Sequence, residues 1–282
     1  MLYEPKGFDW YYVLSGQGEY FTPEFKSHLS EGKYIPEEGY ATARAAWEAA
    51  YGPRNRAFLE SNLEGEELLE WKFQRYVRDY LRCIRSVDDS VGEILEYVDS
   101  HGLADNTIIV YTSDQGFYMG EHGWFDKRFM YEESFRTPLI IRYPGGRGGL
   151  VSNAFVQNLD FAPTYLDVAG VDKPEEMSGR SLLPVIKHNG KQQCKWRRYM
   201  YYHYYDLPSE HNVLKHDGVA DKCFKLIHFY GGENGDYDEF YDLRKDPDEM
   251  HNCISERRYA RRVRRLRKQL DKFREELGVD EY

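Results

Sequence analysis

The sequence predicts an α/β fold in which helix, strand, polar loop, strand and helix follow one another, and three observations predict it. Residues 65–100 place Tyr76, Tyr80, Cys83, Val87, Val91, Ile94 and Val98 at intervals of three and four, one apolar stripe on a long helix ended by Gly102. The β-branched run Thr107–Thr112 and the apolar run Pro138–Tyr143 are each bounded by turn formers, which reads as two buried strands. Residues 158–169 read as a further helix, with Pro163 near its first turn and Gly170 just beyond its end.

The polar loop between the two strands is the candidate site. The first strand delivers Asp114, Gln115 and Gly116 at its carboxyl end, the edge at which open α/β sheets bind ligands. A carboxylate beside a side-chain amide is a hard oxygen pair, suited to Ca²⁺ or Mg²⁺ rather than zinc or copper. Neighbouring strand residues point to opposite faces, so both reach one ion only where the chain has turned, which Gly116 eases. His122 and Lys127 follow on a glycine-flanked loop, where a proton donor and a fixed positive charge meet an anionic substrate. An Asp-Gln-Gly after a strand also reads as a plain turn, and His122 in its Gly-Glu-His-Gly turn reads equally as a brace for the loop.

After about Lys187 the texture changes, which divides the chain into 1–187 and 188–282. Arg198–Tyr205, Phe224–Tyr230 and Glu239–Leu243 read as short aromatic strands separated by Gly, Asp and Pro turns, a small antiparallel sheet closed by a helix at about Ser255–Leu277. Tyr199, Tyr201, His203 and Tyr205 share one strand face, which reads as packing against a helix or as a surface for stacking a sugar. His211 and His216 fall in the polar loop that follows. The closing helix carries eight basic residues and no acid between Arg257 and Lys268, and the rest of the chain then holds 30 basic against 48 acidic residues, a balance of −18. Such a run suits a polyanion or an acidic partner. Its stripe Val263, Leu266, Leu270, Phe273 and Leu277 would instead bury the helix on the small sheet and leave the arginines on a solvated face near acidic neighbours.

Composition bounds the function. A chain of 282 residues can bury a substantial core, and its 41% hydrophobic content contains no run approaching ~18 apolar residues, which excludes a helical membrane protein. The net charge of −10 argues against a nucleic-acid partner and disfavours long-range attraction of polyanions. The opening MLYEPKGFDW lacks the basic and apolar regions of a signal peptide. Cys83, Cys194, Cys223 and Cys253 show no metal or disulfide spacing and read as free thiols.

The segment SDQGFYMGEHGWFDKRFMYEESFRTPLIIRYPGG resembles the second signature block of the sulfatases, a branch of the alkaline-phosphatase-like superfamily. WKFQRYVRDYLRCIRSVDDSVGEILEYVDSHGLADNTIIVYTSD is similar to the helix and strand before that block. NLDFAPTYLDVAGV is similar to the helix after it, and KLIHFYGGENGDYDEFYDLRKDPDEMHN to the family's C-terminal subdomain. From about Tyr51 onward the likeness is nearly continuous. It implies an incomplete alkaline-phosphatase-like mixed sheet flanked by helices, with a small C-terminal antiparallel sheet and helix. It implies a sulfuric ester hydrolase acting on sulfated sugars or glycans, with Ca²⁺ or Mg²⁺ and a formylglycine nucleophile. Asp114 and Gln115 align with the downstream half of the metal site and Lys127 with the lysine that contacts sulfate. Asp126 and Arg128 flank that lysine as substrate contacts, and His211 lies where the subdomain meets the substrate. A metal-dependent phosphoesterase of the same superfamily and a non-catalytic remnant or binding module are the alternatives.

The departures are specific. The Cys/Ser-x-Pro-Ser/Ala-Arg motif is absent, and Cys83-Ile-Arg-Ser-Val lacks its proline and final arginine. The strand with paired aspartates that completes the family's metal site is not found, and Asp88 and Asp89 read as the solvated face of a helix. The central-strand lysine and histidine that also grip sulfate are not identified. They fall in a gap between Thr42 and Ala43, where EEGYAT and ARAAWEAAYGPRNRAF resemble separate parts of the family. Gly218-Val219-Ala220 stands where the family commonly has an arginine after Gly-Val. The sequence therefore reads as a sulfatase without its N-terminal third and an internal piece, whose sheet should leave apolar surface open.

Overall fold

The computed structural model describes residues 12–14, 24–27, 31–33, 37–188, 196–207, 213–280 and 282, with backbone alone for the first three stretches and for much of 37–51. It divides into two compact units, 1–76 and 77–282. In the first, β1 (Tyr12–Leu14), β2 (Glu24–Ser27) and β3 (Glu31–Lys33) form an antiparallel meander. Helix α1 (Glu37–Ser61) follows, and Phe58 stacks on Trp71 of helix α2 (Gly65–Ser100) at 3.9 Å between ring centroids.

Helix α2 carries the expected stripe, but the stripe is largely open: Val98 is buried, whereas Val87 is 49% and Ile94 59% exposed. The two expected strands form as β4 (Ile109–Thr112) and β5 (Leu139–Arg142) and pair antiparallel, Ile109 opposite Arg142. Parallel partners for them are not among the described strands. Arg142 ion-pairs with Asp99 at 2.6 Å, which ties β5 to the end of α2.

Helix α4 (Phe161–Val168) forms where residues 158–169 predict it, after a 3-10 turn at Asn158–Asp160. Pro163 sits in its first turn, where a missing N–H breaks no helical bond, and Gly170 follows with φ +69°. Asp160 is wholly buried, accepts hydrogen bonds from the backbone N–H of Gln157 and Arg180, and takes both terminal nitrogens of Arg197 at 2.7 and 2.8 Å. The short helix α5 (Leu183–Lys187) places Val185 in a small core with Leu182 and Trp196.

The C-terminal sheet is a four-stranded meander of β6 (Met200–Tyr204), β7 (Lys215–Ala220), β8 (Phe224–Tyr230) and β9 (Tyr237–Asp242). Strand β7 overturns the expected polar loop for His216, which is fully buried opposite Tyr204. Its polar residues are held inside the fold: Asp217 takes the Arg274 guanidinium at 2.6 and 2.7 Å, and the His216 ring lies 5.0 Å from Phe229 with Nδ1 2.8 Å from the Leu214 carbonyl. Helix α6 (Ala260–Leu277) buries Val263, Leu266 and Leu270 against Val219, Phe224, Leu226 and Phe240, while Leu277 falls beyond the contact and is exposed. Tyr199 and Tyr201 pack against this same core, which makes their strand face a helix-packing face. The other sheet face, with Ala220, Ile227, Phe229 and Tyr241, receives Met130 and its neighbours. No described helix is long and apolar enough to cross a membrane.

Candidate active-site loop

Strand β4 ends at Thr112 and the chain turns at once. Ser113 Oγ donates to the Gln115 carbonyl at 2.8 Å, the Gln115 N–H donates to Asp114 Oδ1 at 3.0 Å, and Asn158 Nδ2 donates to the Asp114 carbonyl at 2.6 Å. Gly116 does something other than supply a left-handed residue. Its N–H donates to the Ser134 carbonyl at 2.8 Å, and a Cβ there would meet the Glu133 carbonyl oxygen at 1.9 Å. Only glycine allows the Asp114–Gln115 turn to lie this close to residues 133–134.

The excursion from Phe117 to Lys127 is closed by backbone bonds, Tyr118 N–H to the Asp126 carbonyl at 2.7 Å and Gly120 N–H to the Trp124 carbonyl at 2.8 Å. Tyr118 is fully buried, donates to the Phe129 carbonyl at 3.2 Å, and is held protonated by that burial. His122 takes φ +53°, uncommon outside glycine, and its ring stacks on Tyr131 at 4.4 Å with an edge contact to Tyr118. Its Nε2 lies 3.6 Å from Glu133 Oε2, and both atoms are buried without a hydrogen-bond partner.

The Lys127 N–H donates to Asp126 Oδ1 at 2.7 Å, and its carbonyl accepts from Ser134 Oγ. The Asp114–Gln115 turn and Lys127 are thus anchored on the same residue, Ser134, which sits in a one-turn helix α3 (Glu132–Phe135). The Lys127 side chain is exposed, and its ammonium has no partner among the described residues. Asp126 and Arg128 pair with each other on either side of it, and the Arg128 carbonyl accepts from the Tyr202 hydroxyl at 2.6 Å. Burial pushes the Tyr202 phenol up to about 12. His211 lies outside the described residues.

A polar clamp that sequence reasoning missed holds this loop on the C-terminal sheet. Lys225 of β8 is wholly buried and donates to the Met130 carbonyl at 2.7 Å and to Glu132 at 2.9 Å, with Glu249 at 2.8 Å. Glu249, at φ +51°, accepts the Glu132 N–H at 2.7 Å, and its burial outweighs the pull of Lys225 and pushes its carboxyl up to about 7. Tyr131 and Tyr241 both donate to Glu239, at 2.7 and 2.9 Å. Met130 lies over Gly218, where a Cβ would meet Met130 Sδ at 2.5 Å, so glycine on β7 is what lets the loop seat. Lys225 lies in the strand Phe224–Tyr230 read from the sequence, but its partners at Met130, Glu132 and Glu249 are distant in the chain.

Asp114 and Gln115 have the hard-donor chemistry of a Ca²⁺ or Mg²⁺ site, but not the number. Asp114 is exposed with one oxygen held by the turn, and no group of three or more His, Cys, Asp or Glu is arranged for a metal among the described residues. Two donors fall well short of the ~6–8 oxygens that Ca²⁺ takes.

Two family models match the chain: Sulfatase over residues 24–171, and N-sulphoglucosamine sulphohydrolase, C-terminal, over 120–276. The loop from Asp114 to Lys127 lies in the first and the clamp in the second. The chain is 45% identical over 266 residues to an N-acetylglucosamine-6-O-sulfatase of Bacteroides thetaiotaomicron, covering 93% of this chain and 46% of that protein. It is 32% identical over 224 residues to the multifunctional alkaline phosphatase superfamily protein PehA of Trinickia caryophylli, covering 75% and 42%. The chain therefore spans about half the length of these curated relatives. A solved structure of a protein in complex with its substrate D-glucosamine-2-N,6-O-disulfate superposes with a TM-score of 0.86 at 33% identity, over 99% of this chain and 78% of that one. With the signature loop and the C-terminal sheet each inside a matching model, and an alkaline-phosphatase-like architecture shared along nearly its whole length, the chain belongs to the sulfatase family of sulfuric ester hydrolases.

Proposed function

We propose that this chain carries the sulfate-gripping part of a glycan sulfatase whose substrate is a 6-O-sulfated amino sugar. The observation that carries the reading is Lys127, an unpartnered ammonium on a loop fixed by Ser134 and by the Lys225 clamp. A positive charge without a counter-ion among the described residues, on a loop whose backbone is fixed, is free to stabilise the developing charge of a sulfate ester. Asp126 and Arg128, already paired, present an acceptor and a planar donor to sugar hydroxyls, and His211 supplies a further contact. His122 braces the loop and is its candidate proton donor. Residues 1–187 act as a partial sulfatase domain and 188–282 as the subdomain that backs the loop. The substrate class is supported by the N-acetylglucosamine-6-O-sulfatase relative and the structure bound to a disulfated glucosamine.

Asp114 and Gln115 are the family's downstream ligands for Ca²⁺ or Mg²⁺, which would supply Lewis-acid activation when bound. With two ligands, calorimetry should find Ca²⁺ affinity weaker than micromolar; micromolar binding abolished by Asp114→Ala would refute this. The nucleophile motif is absent from these 282 residues, so bond-making is left to water and hydrolysis by this chain alone should be negligible. The expected outcome with 6-sulfated N-acetylglucosamine is binding by the chain that Lys127→Ala weakens about tenfold or more, without turnover of it or of an aryl sulfate. Turnover well above background that Lys127→Ala removes would place a nucleophile in this chain and overturn the inactive reading; binding unaffected by Lys127→Ala would overturn the site. The PehA likeness favours one second reading, a phosphoesterase, which preferential binding of the 6-phosphate analogue would support.

A further inference from the structure

The basic run of helix α6 and of the 3-10 turn Arg257–Tyr259 before it divides into two sets. Arg258 pairs with Glu256, Arg265 with Asp221 and Arg267 with Asp238, while Arg262 lies over the Phe224 ring. Arg257, Arg261, Arg264 and Lys268 are exposed and have no partner among the described residues. Arg261, Arg264 and Lys268 recur at intervals of three and four, one stripe spanning ~10 Å along the α6 axis, and Arg257 precedes it in the 3-10 turn Arg257–Tyr259 that leads into the helix. The stripe lies opposite Val263, Leu266 and Leu270, the residues that bury the helix. In a chain of net charge −10, with acids close enough to neutralise three of the eight, four neighbouring cations without a partner among the described residues are a local exception.

We propose that this stripe is an exosite for the sulfated glycan polymer, separate from the loop that would hold the reacting sulfate. Helix α6 covers one face of the C-terminal sheet and the Lys127 loop is seated on the other, so the stripe cannot touch a sugar held at Lys127. It can hold the same chain further along, and a second attachment raises the effective concentration of the next sulfate at the loop. Arginine forks accept bidentate oxyanions, and a row of them suits an extended polymer with anions at intervals. The solvent side of the stripe has no aromatic residue on which a base would stack and no apolar row to enter a lipid surface, which favours a sulfated polysaccharide over nucleic acid or membrane.

This inference rests on the glycan-sulfatase reading for its partner, and the test separates the two. Binding of a fluorescently labelled, highly sulfated glucosamine polysaccharide is measured by anisotropy at about 50 and 200 mM salt, beside its desulfated form, polyglutamate and duplex DNA. The variant Arg257→Gln/Arg261→Gln/Arg264→Gln/Lys268→Gln should lose at least tenfold in affinity and show a shallower salt dependence. A control that removes the same charge at exposed positions elsewhere, Arg78→Gln/Arg147→Gln/Lys187→Gln/Arg198→Gln, should stay within about twofold. Lys127→Ala should weaken polymer binding less than the stripe variant does, and the stripe variant should leave binding of 6-sulfated N-acetylglucosamine intact, so loss of monosaccharide binding alone speaks only to the loop. Equal affinity of the stripe variant and the wild-type chain for the polymer would overturn the exosite. So would polyglutamate or DNA binding as tightly as the sulfated chain, which would make the face a general cationic surface.

Discussion

Helix α6 and helix α2 are both long, amphipathic and legible from their stripes, yet only one of them buries what its pattern promises. On α6, Leu266 and Leu270 are at most 1% exposed beneath the four-stranded sheet. On α2, Leu69, Leu81, Val87 and Ile94 are all exposed, and the strands that follow it form a sheet of two. Periodicity therefore reports that a helix has a face made for burial and says nothing about whether the cover is at hand. Open apolar surface of this extent marks a place where other polypeptide belongs, and it lies in the region where the sequence resembles a sulfatase lacking central strands. The site loop draws its order from the other region, through Lys225, Glu249 and Tyr202.

That dependence gives the largest expected effect. Lys225→Met removes the one cation from a buried cluster holding Glu132 and Glu249, and breaking such a pair strands buried charge at a cost of roughly 3–5 kcal/mol. Urea unfolding should show that loss, and hydrogen exchange should rise first at residues 127–134. A loss below about 1 kcal/mol would mean the C-terminal sheet does not hold the loop in the way its contacts suggest.

A matched pair of truncations sharpens the helix comparison directly. Leu270→Ala should cost about 2–5 kcal/mol because it opens a cavity beneath α6, whereas Ile94→Ala on α2 should fall within about 0.5 kcal/mol. Equal losses in denaturant melts would show that the α2 face is covered in solution.

What sequence could read follows the same division. Strands β4, β5 and β8, the helices α2, α4 and α6, and the Asp114 to Lys127 loop announce themselves through apolar period or turn residues. Strand β7 does not, because Lys-His-Asp-Gly is a polar string whose burial depends on Arg274, fifty-seven positions from Asp217, and on aromatic neighbours such as Phe129 and Phe229. Gly116 and Gly218 could be seen as glycines, but their reason, contact with Glu133 and Met130, exists only in three dimensions. The clamp was hidden likewise, since Lys225 and Glu249 meet Glu132 only once the loop is seated on the sheet.

The clamp also carries a pH signature. Glu249 titrates from about 4.5 in the unfolded chain to about 7 beside Lys225 and Glu132, so the folded state holds the extra proton between those values. Stability from this group is fully present below pH 4.5 and is lost as pH rises through 7, by at most about 3 kcal/mol. His216 acts in the opposite sense. Burial lowers it from 6.5 to about 4, so its contribution is present above pH 6.5 and is lost as pH falls through 4. The two windows overlap with opposite slopes and nearly cancel between about pH 4.5 and 6.5, so Glu249→Gln should turn that flat stretch into a rise with pH set by His216; an unchanged slope in stability against pH would remove Glu249 from the account.

The smallest effect is expected on the solvent side of α2. Asp88 and Asp89 are the chain's nearest imitation of the paired aspartates that complete a sulfatase metal site. Both lie exposed beside Arg85, with Asp89 at 2.8 Å in an i,i+4 pair and Asp88 at 3.8 Å. An exposed helical pair of that kind contributes about 0.3–0.5 kcal/mol and is screened by salt. Asp88→Asn/Asp89→Asn should therefore shift the denaturation midpoint only slightly, less still at high salt, and leave Ca²⁺ calorimetry unchanged. A drop in Ca²⁺ affinity in that variant would mean that α2 contributes metal ligands, and the contrast between a region that organises the site and one that awaits its cover would have to be redrawn.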